Sequence, residues 1–137
     1  KVRSFIAVAD FVKLSDEELT LITDETDISQ GAQQICALGA KYLEVTLEKE
    51  GTLLQSVEAQ AVVGSIAIKQ VDSTGAGDAF TGGFLYQIQK AGTAELTFAK
   101  LVDFLAVANV VGALTCTKYG AIPALPTLEE VELVIAK

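Results

Sequence analysis

Apolar positions change their period several times along the chain, and each change marks an element. In residues 1–9, Phe5 and Ala9 stand four apart, which reads as the tail of a helix. Residues 10–14 carry Phe11, Val12 and Leu14 and predict a short strand. Ser15 and Glu18 have capping-box spacing, in which each side chain satisfies the other residue's backbone N–H, and they open a helix carrying Leu19, Leu21 and Ile22. After a polar turn over 23–28, a helix over 29–38 puts Ala32, Ile35, Cys36 and Leu38 on one face, and Gly39 closes it. Strands over 42–47 and 52–56 flank Glu48-Lys49-Glu50-Gly51 and form a hairpin. Two more strands are predicted over 58–63 and 65–71, with Gly64 as a break or bulge and with Ile66 and Ile68 alternating with Ala67 and Lys69.

Beyond Val71 the pattern turns helical. A helix runs from Ala79 to Lys90 and stops at Gly92; Gly82 and Gly83 are poor helix formers whose use is close packing against a neighbour. A second long helix over 96–114 is apolar nearly all round and is therefore buried. Asn109 is its polar exception and needs partners there. Residues 115–125 read as a loop, and Pro126 precedes a last helix, capped by Thr127 with Glu130 and reaching Lys137. With no repeat, low-complexity run or linker, this order predicts one layered α/β domain, a three-layer α/β/α sandwich if both sheet faces are covered.

Composition narrows the partners. The chain has 137 residues, of which 50% are hydrophobic and 20% charged, enough for a real core and too apolar for disorder. Its net charge of −8, without a basic cluster, argues against nucleic acid and anionic membranes. The longest apolar run, 101–116, contains Asp103 and Asn109 and is shorter than the roughly 20 residues of a membrane span. No histidine is present, which excludes histidine-based triads and histidine-ligated zinc. Cys36 and Cys116 lie far apart in apolar contexts and read as reduced core residues of a cytoplasmic protein without a signal peptide. The chain contains no Met and opens at Lys1 inside an apparent helix, which reads as a piece of a longer protein.

The chemistry concentrates in Val71-Asp72-Ser73-Thr74-Gly75-Ala76-Gly77-Asp78-Ala79-Phe80-Thr81-Gly82-Gly83, a strand-to-helix turn. Thr74 can cap the helix, and Gly75 and Gly77 allow positive φ and keep Cβ atoms away from the backbone. Several N–H groups then leave one helix end, backed by the positive end of its dipole, which makes an anion site. Asp78 stands beside it. Such an arrangement suits phosphoryl transfer: N–H groups stabilise the moving phosphoryl group, and the carboxylate takes the proton of the attacking hydroxyl. A capped helix whose acid complements the dipole would need only the same residues. The G-x-x-x-x-G-K-[ST] loop is absent.

The run Asp-Ser-Thr-Gly-Ala-Gly-Asp-Ala-Phe-x-Gly-Gly resembles the C-terminal signature of the ribokinase family of ATP-dependent sugar kinases, with Ser73 where Thr is common. The resemblance extends over residues 10–137 and implies the C-terminal, nucleotide-side half of such a kinase, nearest to fructokinases. It implies an anion hole at Gly75, Ala76 and Gly77 and a catalytic base at Asp78. Phe-Val-Lys-Leu-Ser-x-x-Glu resembles the segment whose acid helps to organise Mg2+, here Glu18, with Ser15 in place of the usual Asn. The hairpin matches V-T-L-G-x-x-G, whose Thr and glycines touch nucleotide phosphates. Thr46 and Gly51 fit, while Glu48 replaces the first glycine and would crowd and repel phosphate. Asn109 falls near the position that lies beside the adenine. The run 115–125 resembles the T-x-x-G-A-x-P segment that coordinates a monovalent cation, usually K+, which implies a shell of Asp72, Thr74, Thr115, Lys118 through its carbonyl, Gly120 and Ala124.

These readings predict the nucleotide-binding half of an ATP:sugar phosphotransferase that uses ATP, Mg2+ and K+. The alternative is a non-catalytic nucleotide- or anion-binding module. The sugar-binding and lid part expected of the family does not match any part of the chain, so a homo-oligomer or a complementing N-terminal half is the expected partner. A sheet edge left open invites such pairing. A dinucleotide-binding domain is disfavoured, since G-x-G-x-x-G does not follow the first strand.

Overall fold

A computed structural model describes residues 1–92 and 96–137. These form two compact units, Lys1–Val63 and Gly64–Lys137.

The first unit is a four-stranded sheet in the order β1-β2-β3-β4. After the short helix α1 (Val2–Ile6), β1 (Phe11–Ser15) passes directly into α2 (Asp16–Thr23), and α3 (Ile28–Ala37) leads to β2 (Tyr42–Thr46). The α2–α3 crossover makes β1 and β2 parallel, with Ser15 opposite Thr46 and Lys13 opposite Glu44. β3 (Thr52–Gln55) and β4 (Gln60–Val63) then run antiparallel in turn, which gives the expected hairpin. The sheet's helix-covered face holds the core, where Leu19, Ile35, Leu43 and Val45 are fully buried. Side chains of that size contribute about 1.5–3 kcal/mol each when withdrawn from water. The Ser15–Glu18 capping box is present in both directions, and Asp27 caps α3 through the Gln30 N–H.

The second unit is helical. α4 (Ala76–Ala91) and α5 (Phe98–Thr115) pack along each other, and α6 (Leu128–Ile135) follows with the predicted Thr127–Glu130 capping box. Of the two adjacent glycines in α4, only Gly83 is used for close packing. A Cβ there would lie 3.1 Å from Val111 Cγ2, whereas nothing lies within 4 Å of a Cβ at Gly82. A Cβ on Gly112 of α5 would likewise lie 3.3 Å from the Ala76 carbonyl oxygen at the start of α4.

Several expectations are corrected. Residues 65–71 form no strand: Ile66 and Ile68 are half-buried and Ala67 and Lys69 exposed, as the alternation implies, but no neighbouring strand supplies a ladder. α4 begins at Ala76 rather than Ala79, because Gly75 in the left-handed region starts the helix earlier. α5 begins at Phe98 with Thr97 as its cap and runs through Thr115, so Thr115 ends a helix instead of opening a loop. The last helix stops at Ile135.

Candidate functional site: the turn before α4

The turn is built by its own backbone. Gly75 is the N-cap of α4 at φ 77, a conformation open to glycine at little cost, and no side chain caps the helix. Thr74 therefore does not play the expected capping role; its hydroxyl donates to Asp72 Oδ1 at 2.7 Å. Gly77 lies inside the helix and has no positive φ, so its place in the turn does not rest on conformational freedom. The Ala76 N–H donates back to the Ser73 carbonyl at 3.2 Å. Among the described residues the N–H groups of Gly75, Gly77 and Asp78 have no acceptor. These are orphan donors of a helix start, aimed outward with the dipole behind them. Gly77 and Asp78 are exposed. The Asp78 carboxylate makes no hydrogen bond or ion pair among the described residues.

Of the residues expected around a monovalent cation, the structure joins three. Asp72 Oδ1 accepts from the Thr74 N–H at 2.9 Å and from the Thr74 hydroxyl, while Oδ2 accepts from the Gly120 N–H at 2.9 Å. The Thr74 hydroxyl, the Gly120 N–H and the Thr74 N–H, in that order, hold the Asp72 carboxyl below its ordinary range. Three of about four acceptor positions on the carboxylate are thus occupied by protein donors, which leaves room for one further ligand. Thr115 is buried and donates its hydroxyl to the Val111 carbonyl. The Lys118 ammonium pairs with Glu130 at 3.1 Å, so only its carbonyl is available, and Ala124 is buried in a short 3-10 turn, Ile122–Ala124. Asn109 is 6% exposed, and its amide donates to the Gly64 carbonyl at 3.2 Å. It ties the segment leaving β4 to α5.

In the first unit, Glu18 and Thr46 come to the same end of the sheet. Ser15 and Thr46 are register partners at the C-terminal ends of the parallel strands β1 and β2, and Glu18 Oε2 accepts from the Ser15 N–H at 2.8 Å. The C-terminal ends of parallel strands are where open α/β sheets bind ligands. The capping box occupies Glu18 Oε2 and leaves Oε1 outside it. Among the described residues no cluster of three or more acidic, Cys or His side chains could cage a metal. At the hairpin tip, Gly51 adopts φ 104. Glu48 is exposed and adopts φ 50, one of two positive-φ residues other than glycine among the described residues.

Two features of the structure escape a reading of the sequence. Glu44 on β2 is 3% exposed, and its Oε1 has no hydrogen-bond partner among the described residues. Burial pushes its carboxyl up to about 8, against the pull of the Lys13 charge. The pattern Tyr42-Leu43-Glu44-Val45 reads as a half-exposed strand and hides this burial. Ala121 backs the turn: a Cβ on Gly75 would lie 2.7 Å from Ala121 Cβ. No local pattern links residues so far apart in sequence.

Comparison with known proteins agrees with the motif reading. Residues 1–128 match the family model described as pfkB family carbohydrate kinase. Fructokinase-1 of Zea mays is 39% identical over 130 residues, which cover 94% of this chain and 40% of the maize protein. The crystal structure of fructokinase from Vibrio cholerae O395 in its fructose, ADP and calcium ion bound form superposes with a TM-score of 0.89 at 36% identity, covering 96% of this chain and 42% of that one. Aminoimidazole riboside kinase from Salmonella enterica, complexed with aminoimidazole riboside and an ATP analogue, gives a TM-score of 0.90 at 28% identity, with coverages of 99% and 45%. This chain therefore spans about two-fifths of the length of these relatives. A family model that covers nearly the whole chain, sequence identity over the same range and a shared mixed α/β fold lead to one assignment: the chain belongs to the pfkB family of carbohydrate kinases.

Proposed function

We propose that this chain is the C-terminal, nucleotide-side part of a fructokinase-like enzyme that moves the γ-phosphoryl group of ATP to a sugar hydroxyl. The observation that carries this reading is an exposed Asp78 carboxylate, without a protein partner among the described residues, in the first turn of a helix whose N–H groups are also free. Asp78 would accept the proton of the attacking hydroxyl. The N–H groups of Gly75, Gly77 and Asp78 would stabilise the charge that develops on the transferred group. Thr46 and Gly51 would meet the nucleotide phosphates, and Asn109, beside its bond to Gly64, would lie near the base. Glu18 would lie by Mg2+ through its remaining oxygen. Asp72, Thr74, Gly120 and the carbonyls of Thr115, Lys118 and Ala124 would hold K+. The metal supplies charge neutralisation at the phosphates when bound.

A second reading, a nucleotide- or anion-binding module without turnover, is favoured by one observation. Glu48 stands where the family motif has glycine, in a backbone conformation suited to glycine and with a charge of the wrong sign for phosphate. Phosphoryl transfer to fructose, measured with the chain alone and after adding the part of a fructokinase that it does not cover, separates the two. Turnover in the complemented sample with ADP formed in equal amount supports the kinase. Mg-ADP binding without turnover supports the module.

A further inference from the structure

The geometry points to Asp72 as a positioning residue that latches residues 120–121 onto the turn, so that Ala121 holds Gly75 in the conformation that aims the first N–H groups of α4. This rests on the anion-site reading above and extends it to residues that need not touch the anion, and it is separate from the part proposed for Asp72 and Gly120 around K+.

The latch has three components. Asp72 Oδ2 accepts from the Gly120 N–H at 2.9 Å across 48 residues of sequence, while Oδ1 accepts from both donors of Thr74. Beside this, the Cys116 carbonyl accepts from the Val71 N–H at 2.8 Å and the Asp72 N–H at 3.2 Å, so the two segments are joined on both sides of the carboxylate. Ala121 then lies against Gly75, with its Cβ and Cα only 2.7 and 3.1 Å from where a Gly75 Cβ would be. Gly75 at φ 77 has no side chain to fix its dihedrals, so the contact with Ala121 restricts a position that is otherwise free to move. The first bonds of α4 hang on this point: the Ala79 N–H donates to the Gly75 carbonyl at 2.9 Å. A shift at Gly75 reorients every free donor of the turn at once. Charge-assisted bonds of the kind Asp72 makes are stronger than neutral ones, which suits a latch.

Asp72→Asn separates this role from a local one. An amide can still accept from Thr74 through its oxygen, but it then presents NH2 to the Gly120 N–H, donor against donor. Ala121→Gly is the second variant; it removes the contact to Gly75 without touching a hydrogen bond. Amide exchange on the 137-residue chain, read by NMR, should rise about tenfold at Ala76 and Ala79 in both variants. In Asp72→Asn it should also rise at Gly120, while Phe84 and Ile88 in mid-helix keep their wild-type rates. ADP titrations on the same samples should show about tenfold weaker binding in both variants. Wild-type exchange at Ala76 and Ala79 in Asp72→Asn, with Gly120 released, would overturn the latch. If the wild type binds no ADP at the turn, the anion-site reading fails, and the exchange rates still decide the latch.

Discussion

The hairpin around residues 42–55 and the turn before α4 both contain a left-handed residue at a sharp change of direction, and they fill it differently. At the turn it is Gly75, φ 77, packed on Ala121. At the hairpin it is Glu48, φ 50, followed three residues later by Gly51, φ 104. The strand leading into the hairpin carries a second misfit, the buried Glu44 with an orphan oxygen. At the turn, conformation, packing and the hydrogen bonds of Asp72 thus agree, while the N–H groups of Gly75, Gly77 and Asp78 stay open among the described residues. In the hairpin, local chemistry and backbone conformation disagree at two positions. Consistency across levels marks what a sequence specifies strongly, and local conflict marks strain or a function under change. In these terms the turn is the more consistently specified of the two regions, and the hairpin carries the local conflict.

The largest effect expected tests the turn. In a complemented enzyme, Asp78→Asn should lower kcat by roughly 10²–10⁴, the range for a lost general base, with nucleotide affinity little changed. If Asp78 only complements the helix dipole, the variant instead loses about 0.3–1 kcal/mol of stability and no turnover. Turnover and thermal melting measured side by side discriminate the two.

A slightly smaller effect probes the hairpin's strand. The Glu44 carboxyl ordinarily titrates near 4.5 and is raised to about 8 in the fold. Between those values the folded chain holds a proton that the unfolded chain has released. Stability from this group is therefore full below pH 4.5 and is lost as pH rises through 8, at about 1.4 kcal/mol per pH unit. Glu44→Leu removes the titrating group and the orphan oxygen together. Denaturant titrations at pH 5 and pH 8 should show the variant gaining roughly 3–5 kcal/mol more over wild type at the higher pH. Parallel pH profiles for the two proteins would mean that water reaches the carboxyl and that this misfit is not real.

The difference between the regions also decided how well the sequence could be read. The two capping boxes were legible because their information is local: Ser15–Glu18 and Thr127–Glu130 contain their own hydrogen-bond partners. At the turn the left-handed Gly75 and the helix behind it were legible, whereas Thr74 donates to Asp72 instead of capping, Gly77 has no positive φ and no strand precedes. The alternation of Ile66 and Ile68 was legible too, but a strand also needs a neighbour, and sequence alone does not supply one. The bond from Gly120 to Asp72 and the contact of Ala121 with Gly75 were not legible, since each joins residues more than forty positions apart. The burial of Glu44 was hidden for the same reason. The hairpin misfit was half visible: the resemblance implies a glycine where Glu48 stands, whereas the positive φ of Glu48 is a fact of structure.

Gly75→Ala brings the turn's misfit up to the hairpin's level. The new Cβ meets Ala121 Cβ at 2.7 Å, and an L-residue in the left-handed region costs about 1–2 kcal/mol before any clash. A loss of about 2–3 kcal/mol is expected once the displaced contact is included. Ala121→Gly in the same chain should recover the steric part and leave the conformational part. A double-mutant cycle with no coupling would place the two residues out of contact and weaken the comparison at its better-defined end.

The converse substitution, Glu48→Gly, has the smallest expected effect and is the most direct test of the difference. It replaces a left-handed Glu by the residue for which that conformation is nearly free, which relieves about 1–2 kcal/mol of backbone cost. Glycine also loses more chain entropy on folding, by about 0.5–1 kcal/mol, so a net gain of about 0.5–1 kcal/mol remains. Glu48 is exposed, so no buried contact is lost with the side chain. If the carboxylate faces bound phosphates, its removal should also tighten ADP binding by something like tenfold, or about 1.4 kcal/mol. The repulsive part should shrink as salt is raised, because exposed charges are screened. Calorimetry at low and high salt therefore splits the outcome. A higher melting temperature with unchanged ADP affinity would make Glu48 a conformational misfit turned to solvent, and the hairpin would remain competent for nucleotide. Tighter binding that fades with salt would make Glu48 the residue that sets the hairpin against the turn.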